Sequence, residues 1–327
     1  MTDKVPTIDL GDALTGHTAA RSVAAREIDL ACRTSGFFII VGHGVPDDLL
    51  DAVIVHSREF FHLPRSEKDV VAPPGSEHFR GFLGLDTTAL AATLGEETPP
   101  DLCESFNVSR FDDPVVREQA RQPGADAIFH PNLWPDRPAG LRPAFEAYFA
   151  AMEALSRELL GLIGKALSLP EGWFDSKFEK PTSLLLVNWY PPVHGEIRPN
   201  QLRRGAHTDY GAFTIVATEP LPGLQISLDG IWKEVPPVSG GYVVNLGDLM
   251  ARWTNDRWVS TLHRVVIPED AESRGRDRIS VPFFHQPTYT ANIETIPTTI
   301  SSDKPATYQP VVSGEWITKK SMSMLEG

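Results

Sequence analysis

The sequence predicts a mainly β protein with flanking helices, whose core is an antiparallel sandwich or barrel. From residue 183 onward, short runs rich in β-branched and aromatic residues follow one another with only turn residues between them. The dipeptide Asp229-Gly230 between two of these runs is a strong signal for a two-residue hairpin. Several strands in succession without intervening helices favour antiparallel sheets over a parallel sheet.

The N-terminal third predicts a strand, a helix, a strand and a second helix. "VPTIDL" and "GFFIIVGHGV" are the strands, and "TAARSVAAREIDLACRTSG" between them contains helix-forming residues and ends at a glycine. Pro46 opens the second helix, where Asp47 and Asp48 suit a helix N-terminus. Residues 70–137 are rich in Pro, Gly and charge without a sustained period, which predicts loops and short elements.

A long amphipathic helix is predicted over residues 141–169, because apolar residues recur there at spacings of three and four. We expect it to support the core. The strands that follow are predicted in "SLLLVNWY", "AFTIVA", "LQISLDGIWKEV", "GYVVNLGD", "HRVVIP" and "RISVPFF". The C-terminal "EWITKKSMSMLEG" is interpreted either as a short helix that closes the mouth of the core or as a frayed tail.

Composition excludes several classes of function. The formal net charge of −13 opposes nucleic-acid binding, which depends on cations that neutralise phosphates. No segment approaches the ~20 apolar residues of a membrane span, and no secretion signal is visible at the N-terminus. Cys32 and Cys103 are interpreted as thiols rather than a disulfide. We therefore expect a cytoplasmic protein that binds neither nucleic acid nor membranes.

The histidines are the most informative residues, since the common hydrolase, nucleotide-binding and C-x-x-C zinc signatures are absent. Residues i and i+2 of a strand point to the same face, so His207 and Asp209 could reach one ion. His263, just ahead of another strand, could supply a third ligand. Two imidazoles and one carboxylate on one side of an ion form the facial triad of non-haem Fe(II) oxygenases. The alternative is a polar turn at a strand entrance, and His194 with Glu196 has the same spacing in a loop.

Arg278 and Ser280 repeat the i, i+2 spacing on a later strand. A guanidinium group matches a carboxylate in a planar, bidentate manner, and a hydroxyl adds a third hydrogen bond. The pair is a candidate anchor for the distal carboxylate of a dicarboxylic acid, although an isolated arginine is more often structural. Arg203 and Arg204 are interpreted as a solvated loop or as contacts for an anionic substrate.

Six motifs occur in an order that resembles the isopenicillin N synthase-like 2-oxoglutarate/Fe(II)-dependent dioxygenases. They are "NWYPP" (188–192), "HTD" (207–209), "GLQI" (223–226), "NLGD" (245–248), "STLHRV" (260–265) and "RISVPFF" (278–284). The N-terminal "VPTIDL", "SGFFIIVGHGVP", "EFFHLPRSEKDV" and "DLCESFNV" resemble that family as well, so the resemblance covers residues 5–296. Many relatives have tyrosine where Trp189 stands.

The resemblance implies a double-stranded β-helix, or cupin-like jelly roll. Its N-terminal region (residues 1–135) would pack on a catalytic core (residues 136–327) in one integrated unit. It also implies Fe(II) bound by His207, Asp209 and His263, and 2-oxoglutarate extending to Arg278 and Ser280. Tyr190 would donate from the side, with Asn188 nearby.

The implied activity is the oxidation of a small molecule by O2, through hydroxylation, desaturation or cyclisation, coupled to decarboxylation of 2-oxoglutarate to succinate and CO2. The alternatives are an iron oxidase of the same family that does not use 2-oxoglutarate, a non-catalytic jelly-roll binding protein and a zinc hydrolase. Bulky apolar residues in a barrel are more often plain core than pocket lining. The candidates for lining the substrate pocket are Phe79, Phe82, Phe106, Phe213, Phe284 and His285.

Overall fold

The computed structural model describes residues 5–325 apart from 76–77, 86, 88–89, 92–94 and 96–97. Its strands are β1 (Thr7–Asp9), β2 (Phe37–Val41), β3 (Gly81–Leu83), β4 (Glu104–Ser109), β5 (Leu184–Tyr190), β6 (Arg204–His207), β7 (Phe213–Thr218), β8 (Leu224–Leu228), β9 (Ile231–Glu234), β10 (Tyr242–Leu246), β11 (His263–Val265), β12 (Arg278–His285), β13 (Asn292–Ile293) and β14 (Val311–Val312). Its α-helices are α1 (Gly11–Leu14), α2 (Thr18–Thr34), α3 (Asp47–Phe61), α4 (Arg65–Lys68), α5 (Pro114–Ala120), α6 (Asp126–Phe129), α7 (Leu141–Ala166), α8 (Asp248–Trp253), α9 (Ala271–Arg274) and α10 (Ser313–Leu325). Among the described residues, no helix has the length and apolar character needed to cross a membrane.

The core consists of a large and a small sheet. The large sheet has the order β1-β2-β10-β7-β12-β5-β4-β3, and the small sheet has the order β6-β11-β8-β9. The described pairings within both sheets are antiparallel except that between β1 and β2. This arrangement confirms the predicted jelly-roll core with flanking helices.

Alternate side chains of the large sheet enter two different environments. Phe38 and Ile40 of β2 pack in the main hydrophobic cluster with helices α2, α3 and α7. Phe37 and Ile39 belong to a second cluster with Ile226 of the small sheet. One face of the large sheet is therefore covered by helices, and the opposite face borders the interior between the two sheets.

The support helix and the hairpin are confirmed. Helix α7 begins at Leu141 as predicted, ends at Ala166, and buries an apolar stripe that includes Tyr148 and Met152. Asp229 and Gly230 join β8 to β9 with φ values of 52° and 77°. The left-handed backbone at both positions explains why Asp followed by Gly is favoured in this turn.

Strand β4 lies within residues 70–137, for which the sequence predicts loops and short elements without indicating a strand. All six of its residues are buried, and it pairs with β5 along its whole length. Its polar Ser105 and Asn107 alternate with the apolar Phe106 and Val108. The sequence does not predict that the polar face is buried. This face borders the interior between the sheets, which exists only after both sheets have packed.

Strands from residues 1–135 are hydrogen-bonded into the large sheet at both of its edges. Phe37 of β2 pairs with Asn245 of β10, and Glu104 of β4 pairs with Trp189 of β5. This pairing agrees with a single integrated unit, and the division at residue 135 stays a prediction. Both cysteines are buried free thiols, as expected.

Candidate active site

His207, Asp209 and His263 lie together at one end of the small sheet. His207 is the last residue of β6 and pairs with His263, the first residue of β11. Asp209 Oδ1 lies 3.9 Å from His207 Nε2 and 3.7 Å from His263 Nε2. The three potential ligand atoms all lie within 4.8 Å of one another. The predicted grouping is therefore present, although Asp209 lies in the loop after β6 rather than on the strand, so strand alternation is not what aligns it.

Backbone carbonyl groups orient both imidazole rings. His207 Nδ1 lies 2.8 Å from Gly205 O, and His263 Nδ1 lies 3.1 Å from Thr261 O. A carbonyl oxygen only accepts hydrogen bonds, so each Nδ1 carries the proton and each Nε2 presents its lone pair to Asp209. Burial lowers the pKa of His207 well below its usual range, and the neighbouring His263 and Arg204 lower it further. A neutral imidazole is the form that binds a metal ion.

Among the described residues, the hydrogen bonds to the carboxylate of Asp209 are made to one oxygen, Oδ2. Its Oδ2 accepts hydrogen bonds from Thr214 Oγ1 at 2.5 Å and from Asn245 Nδ2 at 2.6 Å. These bonds leave Oδ1 directed at the two histidines. The sequence predicted no role for Thr214 or Asn245, although Asn245 is the first residue of the "NLGD" motif.

Arg278, Ser280, Tyr190 and Asn188 form a second group on the interior face of the large sheet. Arg278 pairs with Tyr190 and Ser280 pairs with Asn188 across strands β12 and β5. Tyr190 Oη lies 3.3 Å from Ser280 Oγ. The Arg278 side chain is buried, and its Nε donates to Leu221 O at 3.4 Å, whereas its Nη1 has no hydrogen-bond partner among the described residues. Burial lowers the pKa of Arg278.

The side chain of Asn188 is hydrogen-bonded to the neighbouring strand β4. Its Oδ1 accepts a hydrogen bond from Ser105 Oγ at 2.7 Å, and Cys103 Sγ lies 3.6 Å from the same atom. These contacts link the strand that carries Tyr190 to β4. Asn188 is therefore placed to orient this part of the sheet.

The two adjacent arginines differ from the expectation of a solvated loop. Arg203 is fully buried, and its Nη2 donates to Arg276 O at 3.1 Å and to Pro191 O at 3.4 Å. Arg204 begins β6, and its Nη1 lies 3.9 Å from the buried carboxylate of Asp101. The solvated-loop interpretation is wrong because Arg203 is buried and Arg204 is a strand residue with a largely buried side chain.

Most of the aromatic residues that were candidates for lining a substrate pocket lie on the other side of the large sheet, as part of the core. Phe82, Phe106 and Phe213 belong to the cluster packed against the helices. His285 stacks on Phe178 at 4.8 Å between ring centroids, also outside the interior. On β12, strand alternation separates His285 from the face of Arg278 and Ser280, because residues of one strand that differ by an odd number point to opposite faces.

Two other sequence candidates lie elsewhere. Phe79 packs against a satellite cluster around Phe111 and Phe129, whereas Phe284 is on the same strand face as Ser280. His194 and Glu196 are exposed in the loop after β5. Among the described residues, His207, Asp209 and His263 are the only group of three or more potential metal-binding side chains that lie together.

The donor sets fit the groups that the sequence implied. Two neutral imidazoles and one carboxylate match the ligands of a non-haem Fe(II) centre. A buried guanidinium group with an unsatisfied N–H, beside two hydroxyl groups, matches a carboxylate. The site thus offers one place for a divalent cation and one for a carboxylate of a bound acid.

Comparison with known proteins identifies the family. The sequence matches the family described as "non-haem dioxygenase in morphine synthesis N-terminal" over residues 5–137 and the "2OG-Fe(II) oxygenase superfamily" over residues 181–287. It is 33% identical to validamycin A dioxygenase of Streptomyces hygroscopicus subsp. limoneus, over 99% of this chain and 88% of that protein. It is 31% identical to the 2-oxoglutarate-Fe(II) type oxidoreductase ppzC of Metarhizium rileyi, over 97% of this chain and 86% of that protein.

A solved structure supports the same assignment. The crystal structure of Neurospora crassa T7H in complex with alpha-KG and thymine has a TM-score of 0.85 and 29% sequence identity, and the match covers 97% of this chain and 96% of that chain. The agreement therefore extends over the N-terminal region as well as the two sheets. The chain belongs to the 2-oxoglutarate/Fe(II)-dependent oxygenase family, whose members use Fe(II), 2-oxoglutarate and O2.

Proposed function

We propose that His207, Asp209 and His263 hold the Fe(II) ion of this dioxygenase. The observation that carries the proposal is the convergence of Asp209 Oδ1 and two histidine Nε2 atoms, each oriented by a hydrogen bond on its far side. Bound there, Fe(II) supplies the redox chemistry that couples decarboxylation of 2-oxoglutarate to succinate and CO2 with oxidation of a small molecule by O2.

The protein's own contribution is orientation and burial. Arg278 and the hydroxyl groups of Ser280 and Tyr190 would receive the distal carboxylate of 2-oxoglutarate, because they form a buried cluster with an unsatisfied cationic N–H. Asn188 would keep β5 in register with β4 through Ser105. Holding the co-substrate at both of its ends fixes the direction from which it approaches the metal.

The position of Asn107 indicates where the small molecule that is to be oxidised would bind. Asn107 lies on the same face of β4 as Ser105, opposite Leu186 of β5, and its Oδ1 is buried without a hydrogen-bond partner among the described residues. The next row of cross-strand pairs leads to Thr214, whose hydroxyl contacts Asp209. A substrate that carries a hydrogen-bond donor would satisfy Asn107 within the interior.

The substrate is a small organic molecule in this proposal, and its oxidation is a hydroxylation, a desaturation or a cyclisation. Validamycin A and thymine are the compounds named for two relatives. The name of the first relative, a dioxygenase of validamycin A, supports a role in specialised metabolism. The two buried, unpaired thiols Cys32 and Cys103 support a cytoplasmic location.

Turnover in the presence and absence of 2-oxoglutarate tests this function. Purified protein would be loaded anaerobically with Fe(II) and 2-oxoglutarate, then mixed with aerated buffer and a small-molecule library. We expect some compounds to stimulate succinate formation. Oxygen consumption at full rate without 2-oxoglutarate and without succinate would instead identify a 2-oxoglutarate-independent oxidase of the same family.

A further inference from the structure

Two buried arginines lie close together beside the proposed co-substrate site. The exposed fraction is 0% for Arg203 and 2% for Arg278. Three of their N–H-bearing atoms have no hydrogen-bond partner among the described residues, namely Nε and Nη1 of Arg203 and Nη1 of Arg278. Buried cationic donors of this kind are costly unless an anion or another acceptor satisfies them.

The carboxylates of this region are already engaged by another cation. Arg58 Nη2 lies 2.7 Å from Glu219 Oε1, and Arg58 Nε lies 3.1 Å from Asp277 Oδ2. Within the described part of the chain, neither Arg203 nor Arg278 makes an ion pair of its own. Burial lowers the pKa of Arg203, and the charge of Arg278 lowers it further, while Tyr190, Cys103 and Asp277 oppose the shift. The pair therefore carries excess positive charge.

The ring of Tyr190 connects the two arginines. Its centroid is 5.2 Å from Arg278 Cζ and 6.0 Å from Arg203 Cζ. Contacts of a cation with an aromatic ring stabilise the cation by less than the cost of burying an unpaired charge. Tyr190 thus orders the two guanidinium groups without neutralising them.

Arg203 also joins the chain segments next to the site. The two carbonyls that its Nη2 contacts belong to Pro191, which directly follows Tyr190, and to Arg276, which lies two residues before Arg278. A single side chain therefore holds the end of β5 close to the beginning of β12. This link accounts for the contacts of Arg203 Nη2. It does not account for the positive charge of Arg203 or for its Nε and Nη1, which have no hydrogen-bond partner among the described residues.

We propose that Arg203 is a positioning residue of the co-substrate site, a second cation whose charge the distal carboxylate of 2-oxoglutarate balances together with Arg278. This inference rests on the proposed function, because it assumes that 2-oxoglutarate binds at Arg278. The new element is that the affinity for this carboxylate also depends on Arg203, which lies four residues before the proposed metal ligand His207.

Two acids that differ only at the distal end test the inference. 2-Oxoglutarate and 2-oxopentanoate have the same carbon chain and the same 2-oxo acid group, but the second lacks the distal carboxylate. Dissociation constants for both would be measured by anaerobic calorimetry on the Fe(II)-loaded wild type, Arg203→Gln, Arg203→Met and Arg203→Lys. Two uncharged variants are used so that the test stands if one of them does not fold.

The expected result is selective. Removing the charge should weaken 2-oxoglutarate binding roughly tenfold, as for a partly screened buried cation, and should leave 2-oxopentanoate binding unchanged. Arg203→Lys should retain most of the preference for 2-oxoglutarate, because it keeps the charge. Arg198→Gln, a change at an exposed arginine of the preceding loop, is the matched control and should behave as the wild type.

Equal weakening for both acids, or no weakening for either, would overturn the inference and leave Arg203 as a structural link between β5 and β12. The binding of 2-oxopentanoate reports whether each variant has retained the site. A wild type that binds the two acids equally would overturn the proposed anchor at Arg278 and the role of Arg203 with it. The two failures are therefore distinguishable in one data set.

Discussion

Asn245 donates a hydrogen bond from its side-chain amide to Asp209, with 2.6 Å between Nδ2 and Oδ2. Asn245 lies on β10 of the large sheet, whereas Asp209 follows β6 of the small sheet. The contact crosses the interior and fixes which carboxylate oxygen faces the histidines. A metal ligand held in this way depends on the packing of both sheets.

Removal of this contact should weaken the metal site. We expect Asn245→Ala to lower the affinity for Fe(II) by roughly 10- to 100-fold, because outer partners of metal ligands orient them and are worth about this much. Anaerobic titration with Fe(II) measures the change. Asn200→Gly, at an exposed turn position with φ of 60°, is the control. Unchanged affinity in Asn245→Ala would contradict the role given to this amide.

Replacement of the proposed co-substrate anchor should act on 2-oxoglutarate alone. We expect Arg278→Leu to raise the 2-oxoglutarate concentration needed for half-maximal succinate formation by at least about 30-fold, since the loss of a buried charge partner costs ~2 kcal/mol or more. Fe(II) affinity should stay the same. Arg276→Leu, at an exposed arginine near the same strand end, is the matched control. An unchanged 2-oxoglutarate requirement would place the anchor elsewhere.

A buried ion pair holds α4 against β4. Lys68 Nζ lies 2.5 Å from Glu104 Oε2, and both side chains are buried. We expect Glu104→Gln to lower the free energy of unfolding by about 3 to 5 kcal/mol, because it leaves Lys68 as an unpaired buried cation. Urea denaturation measures the loss.

The control for that prediction is an exposed pair between the first residue of α4 and the residue that follows the helix. Arg65 and Asp69 form an ion pair in which both side chains are about half exposed to solvent. Asp69→Asn should cost less than ~1 kcal/mol, since solvent screens such pairs. Equal losses of unfolding free energy in Glu104→Gln and Asp69→Asn would show that burial does not determine how much each pair contributes to stability.

Acid should destabilise the protein partly through His285. Burial, then the charges of Arg157 and Arg110, lower the pKa of His285 to about 3, whereas an unfolded histidine titrates near 6.5. Between these values the unfolded chain binds a proton that the folded chain does not, so stability falls as the pH drops below about 6.5. At pH 5.5 this effect lowers the free energy of unfolding by about 1.4 kcal/mol relative to a pH well above 6.5.

A variant without this titration isolates the effect. Between pH 7.5 and pH 5.5, His285→Gln should lose about 1 kcal/mol less unfolding free energy than the wild type, as measured by urea denaturation of the metal-free protein. The other histidines titrate equally in both proteins and cancel in the difference. Identical pH dependence in the two proteins would contradict a strongly depressed pKa at His285.

The sequence was most informative where local chemistry determines structure. Asp229-Gly230 predicted its hairpin because the turn requires a left-handed backbone. The stripe on α7 predicted a buried helix, and the order of motifs predicted the jelly roll. The grouping of His207, Asp209 and His263 was also predicted, because the spacing and the family resemblance indicated the same three residues.

Features that depend on contacts between distant strands could not be predicted in the same way. Thr214 and Asn245 reach Asp209 only after two sheets have packed face to face. The burial of Arg203 depends on carbonyls from two other chain segments. Phe106 and Phe213 could not be assigned to the core or to the substrate pocket, because the face of a strand that borders the interior follows from sheet register, which one sequence does not display.

The central claim is that His207, Asp209 and His263 form the Fe(II) site, and iron stoichiometry tests it most directly. Wild type and His263→Ala would be titrated anaerobically with Fe(II), with circular dichroism to verify that both are folded. We expect one tightly bound Fe(II) per chain in the wild type and none in His263→Ala. A folded His263→Ala variant that binds Fe(II) with wild-type stoichiometry and affinity would contradict the assignment.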